Sequence, residues 1–281
     1  MKRFLRPLYL LISATVLLLL VLLLWLFLGG RDSSQEDSPD YFRIGRDPNW
    51  YPIDTQGKEY ELLAFLEELL DEIATQQAIK FDYIDENADA MYPSLARRAV
   101  DGIITTILPP NNISGERYVF SDAVYDFGPV LVVNSDSTIQ TLDDVKGKIL
   151  GLLRGSSIYF EVPLDPSIFV ITFDNHLQAM ERLGTRNVDA VLLPFLPASI
   201  FAQSLFQGKL RVASSPITPK PLNVVTVRNE RGMALVDNIN TGLKKVMESG
   251  VYDELLFRWG LPNPSKPPGL ESHKEATDRV E

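Results

Sequence analysis

Apolar and polar positions fall into three regimes along the chain. Leu8 to Leu28 carries no charged residue, and only Tyr9, Ser13, Thr15, Trp25 and Phe27 break its aliphatic run. That length suffices to span a bilayer as one helix. From Arg31 to Asp40 the pattern turns polar and predicts a flexible tether. From Tyr41 onward, short apolar runs alternate with helix-period segments. Tyr41–Gly45, Ile79–Ile84, Gly102–Leu108, Tyr125–Val133, Lys148–Leu153, Phe169–Phe173, Val188–Leu193, Leu210–Ala213 and Asn223–Arg228 read as strands. Between them, Leu62, Leu63, Leu66, Leu69, Leu70 and Ile73 recur at helical spacing within a helix over Glu59–Thr75. Its Glu67, Glu68, Asp71 and Glu72 form a solvated face.

Further helices follow from their punctuation. Pro93 suits the first turn of a helix ending near Ala99. Thr141-Leu-Asp-Asp144 reads as a capping box, and Asp174 caps a helix carrying Leu177, Met180 and Leu183. A helix is expected over Ala198–Gln207. Leu235, Ile239, Leu243 and Val246 mark a long one closed by Gly250 in a left-handed cap. A last helix covers Val251–Trp259, and Pro262–Glu281 has the composition of a disordered tail. Strands alternating with helices predict an α/β fold with mostly parallel sheets.

The stretch Asp101–Val133 holds the first candidate chemistry. An apolar strand ends at Thr105, Thr106 and Leu108, and a Pro-Pro-Asn-Asn break leads to Ser114-Gly115-Glu116-Arg117. Open α/β sheets place ligands at the carboxyl ends of strands. Thr105 and Thr106 are therefore candidates, and Arg117 reads either as an anchor for a carboxylate or phosphate or as a surface ion-pair residue. The loop after the first strand holds Asp47, Trp50 and Tyr51; Trp50 either stacks on a ligand or fills a loop as a half-buried aromatic. Gly155-Ser156-Ser157 opens a helix and reads as an anion site or as a plain N-cap.

Composition removes several function classes. The 281 residues contain no cysteine and two histidines, so thiol chemistry, disulfides and a Cys-ligated metal are excluded. Net charge is −10, and three cations (Lys2, Arg3, Arg6) precede the apolar run, leaving −13 for the remainder. Nucleic acid is a poor partner for such a surface. No phosphate-cradling glycine motif occurs, and no cofactor is implied. The N-terminal cations place the amino end in the cytoplasm and the remainder outside, as a single-pass anchor of the inner membrane. Cleavage of the segment near Gly30, with secretion, is the alternative.

The order of segments resembles the family 3 extracellular solute-binding proteins, the amino-acid-binding components of ABC importers. YFRIGRDPNWYPI, YPSLARRAVDGIITTI, ERYVFSDAVYDFGPVLVV, TLDDVKGKILGLLRGSS and VYDELLFRWG carry the resemblance, in order. It implies a two-lobed α/β periplasmic-binding-protein fold with two crossing hinge strands, preceded by the transmembrane helix. Residues 1–30 would be the signal anchor, 31–40 the tether, 41–126 plus 223–261 lobe 1, 127–222 lobe 2 and 262–281 the tail. Ligand would sit in the cleft between lobes, with Arg117 and Gly155–Ser157 holding its carboxylate, Trp50 on its side chain, and Asp47 as the loop aspartate. The chain departs from the pattern at Pro194, where an aspartate for the ammonium is usual. It also departs at Leu108, where a hydroxyl is usual, and in the long PPNNIS loop before Arg117.

The expected function is capture of a small anionic or amino-acid-like solute for an ABC permease, without catalysis. The membrane would be contacted through residues 8–28. One alternative is a membrane-anchored sensor with a degenerate site. Another is a dehydratase-like enzyme on the same scaffold, for which Asp47 and Glu116 are the candidate acids.

Overall fold

A computed structural model describes residues 41–109 and 114–266. The apolar segment 8–28, the tether at 31–40 and residues 267–281 of the tail expected over 262–281 lie outside the described residues, whereas Pro262 and Pro264 are described and buried. No helix among the described residues is long and apolar enough to cross a membrane.

Two sheets form two lobes. The first takes β1 (Tyr41–Arg46), β2 (Lys80–Asp85), β3 (Gly102–Thr105), β4 (Tyr118–Phe120), β5 (Tyr125–Asp126) and β11 (Pro221–Val227), in the order β2-β1-β3-β11-β4 with β5 also on β11. The second takes β6 (Pro129–Asn134), β7 (Ile149–Leu153), β8 (Phe169–Phe173), β9 (Ala190–Pro194) and β10 (Leu210–Val212), in the order β10-β6-β9-β7-β8. The sheets are mixed rather than mostly parallel. β1 runs parallel to β3, and β7 runs parallel to β8 and β9. The strands next to the crossings, β6 and β11, run antiparallel to their neighbours because the chain enters each lobe from the opposite side.

Helices cover both faces of each sheet, which is why β3, β6 and most of β9 are buried along their lengths. α1 (Glu59–Gln77) buries Leu62, Phe65, Leu66, Leu69, Leu70, Ile73 and Ala74. It packs on α7 (Glu230–Glu248) so closely that a Cβ on Gly242 would come within 2.6 Å of Ile73. α8 (Val251–Arg258) follows Gly250, which takes the expected left-handed φ of 83°. On the other face of lobe 1, α2 (Ala88–Ala96) buries Met91 and Leu95. Pro93 lies inside α2, not in its first turn. A helix this short loses only one internal N–H bond to it.

The Ser114–Arg117 stretch is a one-turn helix, α3. In lobe 2, Asp144 accepts the Gln140 and Thr141 N–H groups and starts a 3-10 turn at Asp143–Val145, as the capping box implies. α4 (Ile158–Glu161) and α5 (His176–Gly184) follow. α6 spans Phe195–Gln203, three residues ahead of the expected start. Its first turn is hidden in the buried run Phe195-Leu-Pro-Ala198, where Pro197 is tolerated because early helical N–H groups have no internal partner.

The lobes meet at two chain crossings. Asp126 Oδ1 accepts the Gly128 N–H at 2.8 Å and the Lys220 N–H at 2.9 Å, so one carboxylate ties both crossing segments. A Cβ on Gly128 would lie 2.2 Å from the Thr218 carbonyl oxygen. Aromatic side chains continue the core across this junction. Tyr125 contacts Phe65, Phe127 and Phe195, with centroids 4.8–6.2 Å apart, and Trp50 meets Phe127 edge-on. The buried hydroxyls are satisfied, Tyr125 donating to the Pro262 carbonyl and Tyr252 to that of Val124.

A second bridge between lobes sits at the surface. His176 Nδ1, on α5, lies 3.4 Å from Asp54 Oδ2 of lobe 1, and the imidazole stacks on Phe201. Burial lowers the His176 pKa more than Asp54 raises it.

Two outcomes follow. Gly128→Ala forces a side chain into the crossing and is expected to cost about 1–3 kcal/mol in urea unfolding, without altering the m-value. The depressed His176 pKa makes folding less favourable as pH falls below the ordinary histidine value of 6.5, since the unfolded chain then binds the proton more readily. The melting temperature of His176→Gln should therefore decline less than that of the parent between pH 7 and pH 5; parallel profiles would rule out this contribution.

Candidate functional site

The loop after β1 is organised by its own aspartate. Asp47 accepts the backbone N–H groups of Asn49 at 2.9 Å and Tyr51 at 3.1 Å, an arrangement in which the carboxylate shapes the turn. Trp50 takes a left-handed φ of 59° there. Its indole N–H donates to the Glu59 carbonyl at 3.0 Å and its ring is only 6% exposed. The tryptophan thus pins the loop to the start of α1 and to the crossing at Phe127. Tyr51, beside it, is 70% exposed.

Three cavities border these elements. The smallest, about 20 Å³, is lined by Arg46, Asp47, Trp50, Thr105, Thr106 and their apolar neighbours, and has room for about one water. Thr105 Oγ1 accepts the Ile107 N–H there. The Arg46 guanidinium is held by Glu67 and by Asp85 at 2.7 Å, with Tyr83 under it. A broad groove of about 690 Å³ opens on lobe 1 between the carboxyl ends of β1 and β3 and the start of α2. Asp47, Tyr51, Asp89, Tyr92, Ile107 and Leu108 are among its walls. Tyr92 donates to the Ile107 carbonyl at 2.8 Å, and burial raises its phenol pKa, keeping it a donor.

The third cavity, about 200 Å³, is the one both lobes line. Lobe 1 supplies Pro52, Ile53 and Asp54. Lobe 2 supplies Ser156, Ser157, Ile158, Glu161, Pro194 and Pro197. Phe127, Pro129 and Lys220 come from the crossings. Gly155 stands just outside, its φ of 72° allowing the turn that presents the two serines. The Ser156 hydroxyl accepts the Ile158 N–H at 3.3 Å.

The structure therefore brings Asp47, Trp50, Thr105 and Thr106 together on lobe 1 and Ser156 and Ser157 together on lobe 2. Arg117 stands apart and lines none of the three cavities. Its carbonyl accepts the Arg228 N–H just past β11, and its guanidinium lies 5.6 Å from the Tyr118 ring. The register pairs Tyr118 with Val227, whereas Thr105 pairs with Asn223 at the other end of β11. Glu116, next to it, is exposed and lines none of them either. Asp54, Glu161 and Lys220 are cavity residues that sequence reasoning did not single out. Lys220 had one signal: it lies between Pro219 and Pro221, which bias the backbone toward the extended form a crossing needs. Among the described residues no group of three or more His, Asp or Glu could hold a metal ion.

Comparison with known proteins agrees with this architecture. The lysine/arginine/ornithine-binding periplasmic protein of Escherichia coli is 28% identical over 236 residues, covering 81% of this chain and 90% of that protein. The glutamine-binding protein of an ABC transporter of Bacillus subtilis is 24% identical over 66% of this chain and 67% of its own length. Among solved structures, the unliganded open L-cystine receptor of Neisseria gonorrhoeae superposes with a TM-score of 0.62 at 16% identity, covering 78% of this chain and 92% of that one. Substrate-binding domain 2 of Lactococcus lactis GlnP, in its open conformation, superposes at 0.55 and 17% identity, over 80% and 96%. The profile of one family matches residues 42–262, and the chain belongs to that family, the bacterial extracellular solute-binding proteins, family 3.

Proposed function

We propose that this protein captures an amino acid outside the cytoplasmic membrane, in the cavity between its lobes, and delivers it to an ABC permease. The observation that carries the reading is the 200 Å³ cavity bordered by both lobes and both crossings. A ligand there touches every part whose relative position could change, so binding and lobe geometry are coupled. The relatives named above, which bind amino acids, support the ligand class. Residues 8–28 would tether the domain to the bilayer.

On this reading Ser156 and Ser157 contact the ligand from lobe 2 and Pro52, Ile53 and Asp54 form the lobe 1 wall, while Asp47, Trp50, Thr105 and Thr106 line the small cavity behind it and shape the loop that carries that wall. Arg117, which lines none of the three cavities, has on this reading no part in binding. The Asp47 carboxylate already accepts two backbone N–H groups and shapes its own turn.

A thermal-shift screen of the full chain in detergent against the amino acids is the test. At a hundredfold excess over Kd, the correct ligand adds about 2.7 kcal/mol, a rise of roughly 5–10 °C. Ser157→Ala is expected to weaken that ligand about tenfold in calorimetric titration, and Arg117→Ala to leave Kd within about twofold. A screen that is flat for every amino acid would refute the reading.

A further inference from the structure

We propose that the edge of lobe 1 opposite the cavities is a docking face for an anionic lipid bilayer, built from six arginines at the point where the chain enters the domain. This rests on the reading of residues 8–28 as the bilayer anchor and gives the domain an orientation on that bilayer.

The fold gathers these arginines from distant parts of the sequence. β1 and β3 run parallel, with Ile44 beside Gly102, so their amino ends lie together. Antiparallel β11 brings its carboxyl end to the same edge, and β4 joins it with Tyr118 beside Val227. Arg43, in β1, donates to the Asp101 carboxylate at 3.3 Å and to the Arg98 carbonyl at 3.1 Å, just past α2. Arg231, in the first turn of α7, donates to the other Asp101 oxygen at 3.0 Å and lies over the Phe42 ring. The Arg228 N–H donates to the Arg117 carbonyl at 2.7 Å, which places that pair beside the ends of β4 and β11. Arg97 precedes Arg98 at the end of α2. Arg97, Arg98, Arg117 and Arg228 are exposed.

Charge and chain length together select the partner. The segments meeting at this edge also bring Asp101, Glu116 and Glu230, so six cations face three anions in a chain whose net charge is −10. Asp101 is engaged by Arg43 and Arg231, whereas Arg97, Arg98 and Arg117 form no ion pair with another described residue. A guanidinium matches phosphate oxygens two at a time, the geometry a phospholipid headgroup offers. Twelve residues, 29–40, separate the apolar segment from β1. A chain of that length reaches no more than about 40 Å even when fully extended. The anchor therefore holds this edge close to the lipid, and a modest attraction suffices because docking is intramolecular. An anionic surface attracts the arginine edge and repels the acidic remainder, which orients the domain. The carboxyl ends of β1 and β3, where the broad groove opens, then point away from the bilayer and stay accessible to solute.

The test reconstitutes the full chain into vesicles of phosphatidylcholine, alone or mixed with phosphatidylglycerol. The chain has no cysteine, so Ala99→Cys at the arginine edge and Gln207→Cys on lobe 2 can each carry a single fluorophore. A quencher on the lipid headgroups should quench the Ala99→Cys probe at least about twofold more in the anionic vesicles, and the Gln207→Cys probe equally in both. Sodium chloride at about 0.5 M should abolish the difference, since screening then confines the attraction to a few ångströms. Combining Arg97→Gln, Arg98→Gln and Arg117→Gln should abolish it too, while Arg97→Lys, Arg98→Lys and Arg117→Lys together should keep most of it. Melting curves that match the parent establish that both triple variants fold. Flotation with the neutral vesicles reads the anchor separately, and the amino-acid thermal shift reads ligand capture. Flotation with equal quenching of the Ala99→Cys probe in both lipids, or a difference that survives the glutamine variant, overturns the docking face and leaves the anchor standing. A chain that does not float with the neutral vesicles removes the anchor reading and this proposal with it.

Discussion

The Asp126 carboxylate is the constraint on which the rest of the molecule depends. One of its oxygens accepts an N–H from each crossing segment, and hydrogen bonds to a charged acceptor contribute about 1.5–3 kcal/mol each. That tie adds to the backbone bonds between the two segments, from the Phe127 N–H to the Lys220 carbonyl at 3.0 Å and from the Ile217 N–H to the Pro129 carbonyl at 2.8 Å. With it, Gly128 can pass directly under the Thr218 carbonyl, and the Lys220 backbone is fixed at the rim of the cavity. The aromatic cluster around Tyr125 then fills the junction from inside. Electrostatics sets the path of the chain, and burial of large rings makes that path stable.

Around this junction the structure separates shaping groups from free ones. Asp47 shapes a turn, Trp50 pins a loop, Arg46 is shared by two carboxylates, and Thr105 closes a local bond. These polar groups look functional in one dimension but are already engaged within the fold. Lys220 and Glu161, on the cavity that both lobes border, keep open bonding capacity. Function here is better read from what remains unpaired than from what is polar.

That distinction explains how much the sequence could tell. The strands and long helices were legible because burial on both sheet faces writes continuous apolar runs, as at β6 and β9, and because α1 repeats its leucines at helical spacing. The two-lobed architecture was legible from segment order. Arg117 was not, because its position depends on the register of β4 against β11, which no local pattern around Glu116-Arg117 encodes. Lys220 and Glu161 were illegible for a related reason. Neither sits in a motif, and they share a cavity only after two crossings bring distant segments together. Pro194 read as a missing carboxylate in sequence; in the fold it is one wall of that cavity.

The position of β11 also governs the order in which the chain can be assembled. It lies between β3 and β4 in the lobe 1 sheet, pairing Asn223 with Thr105 and Val225 with Phe120, yet all of lobe 2 precedes it in the chain. As residues emerge from the amino end, β3 is made early and waits with an open edge, while lobe 2 has every strand it needs by Val212. Lobe 2 can therefore become a finished unit while lobe 1 is still missing a central strand, and an unpaired apolar edge invites wrong partners until it is filled. Closing that gap requires contacts between segments far apart in sequence, the kind that form slowly. The half of the molecule synthesised first is the half completed last.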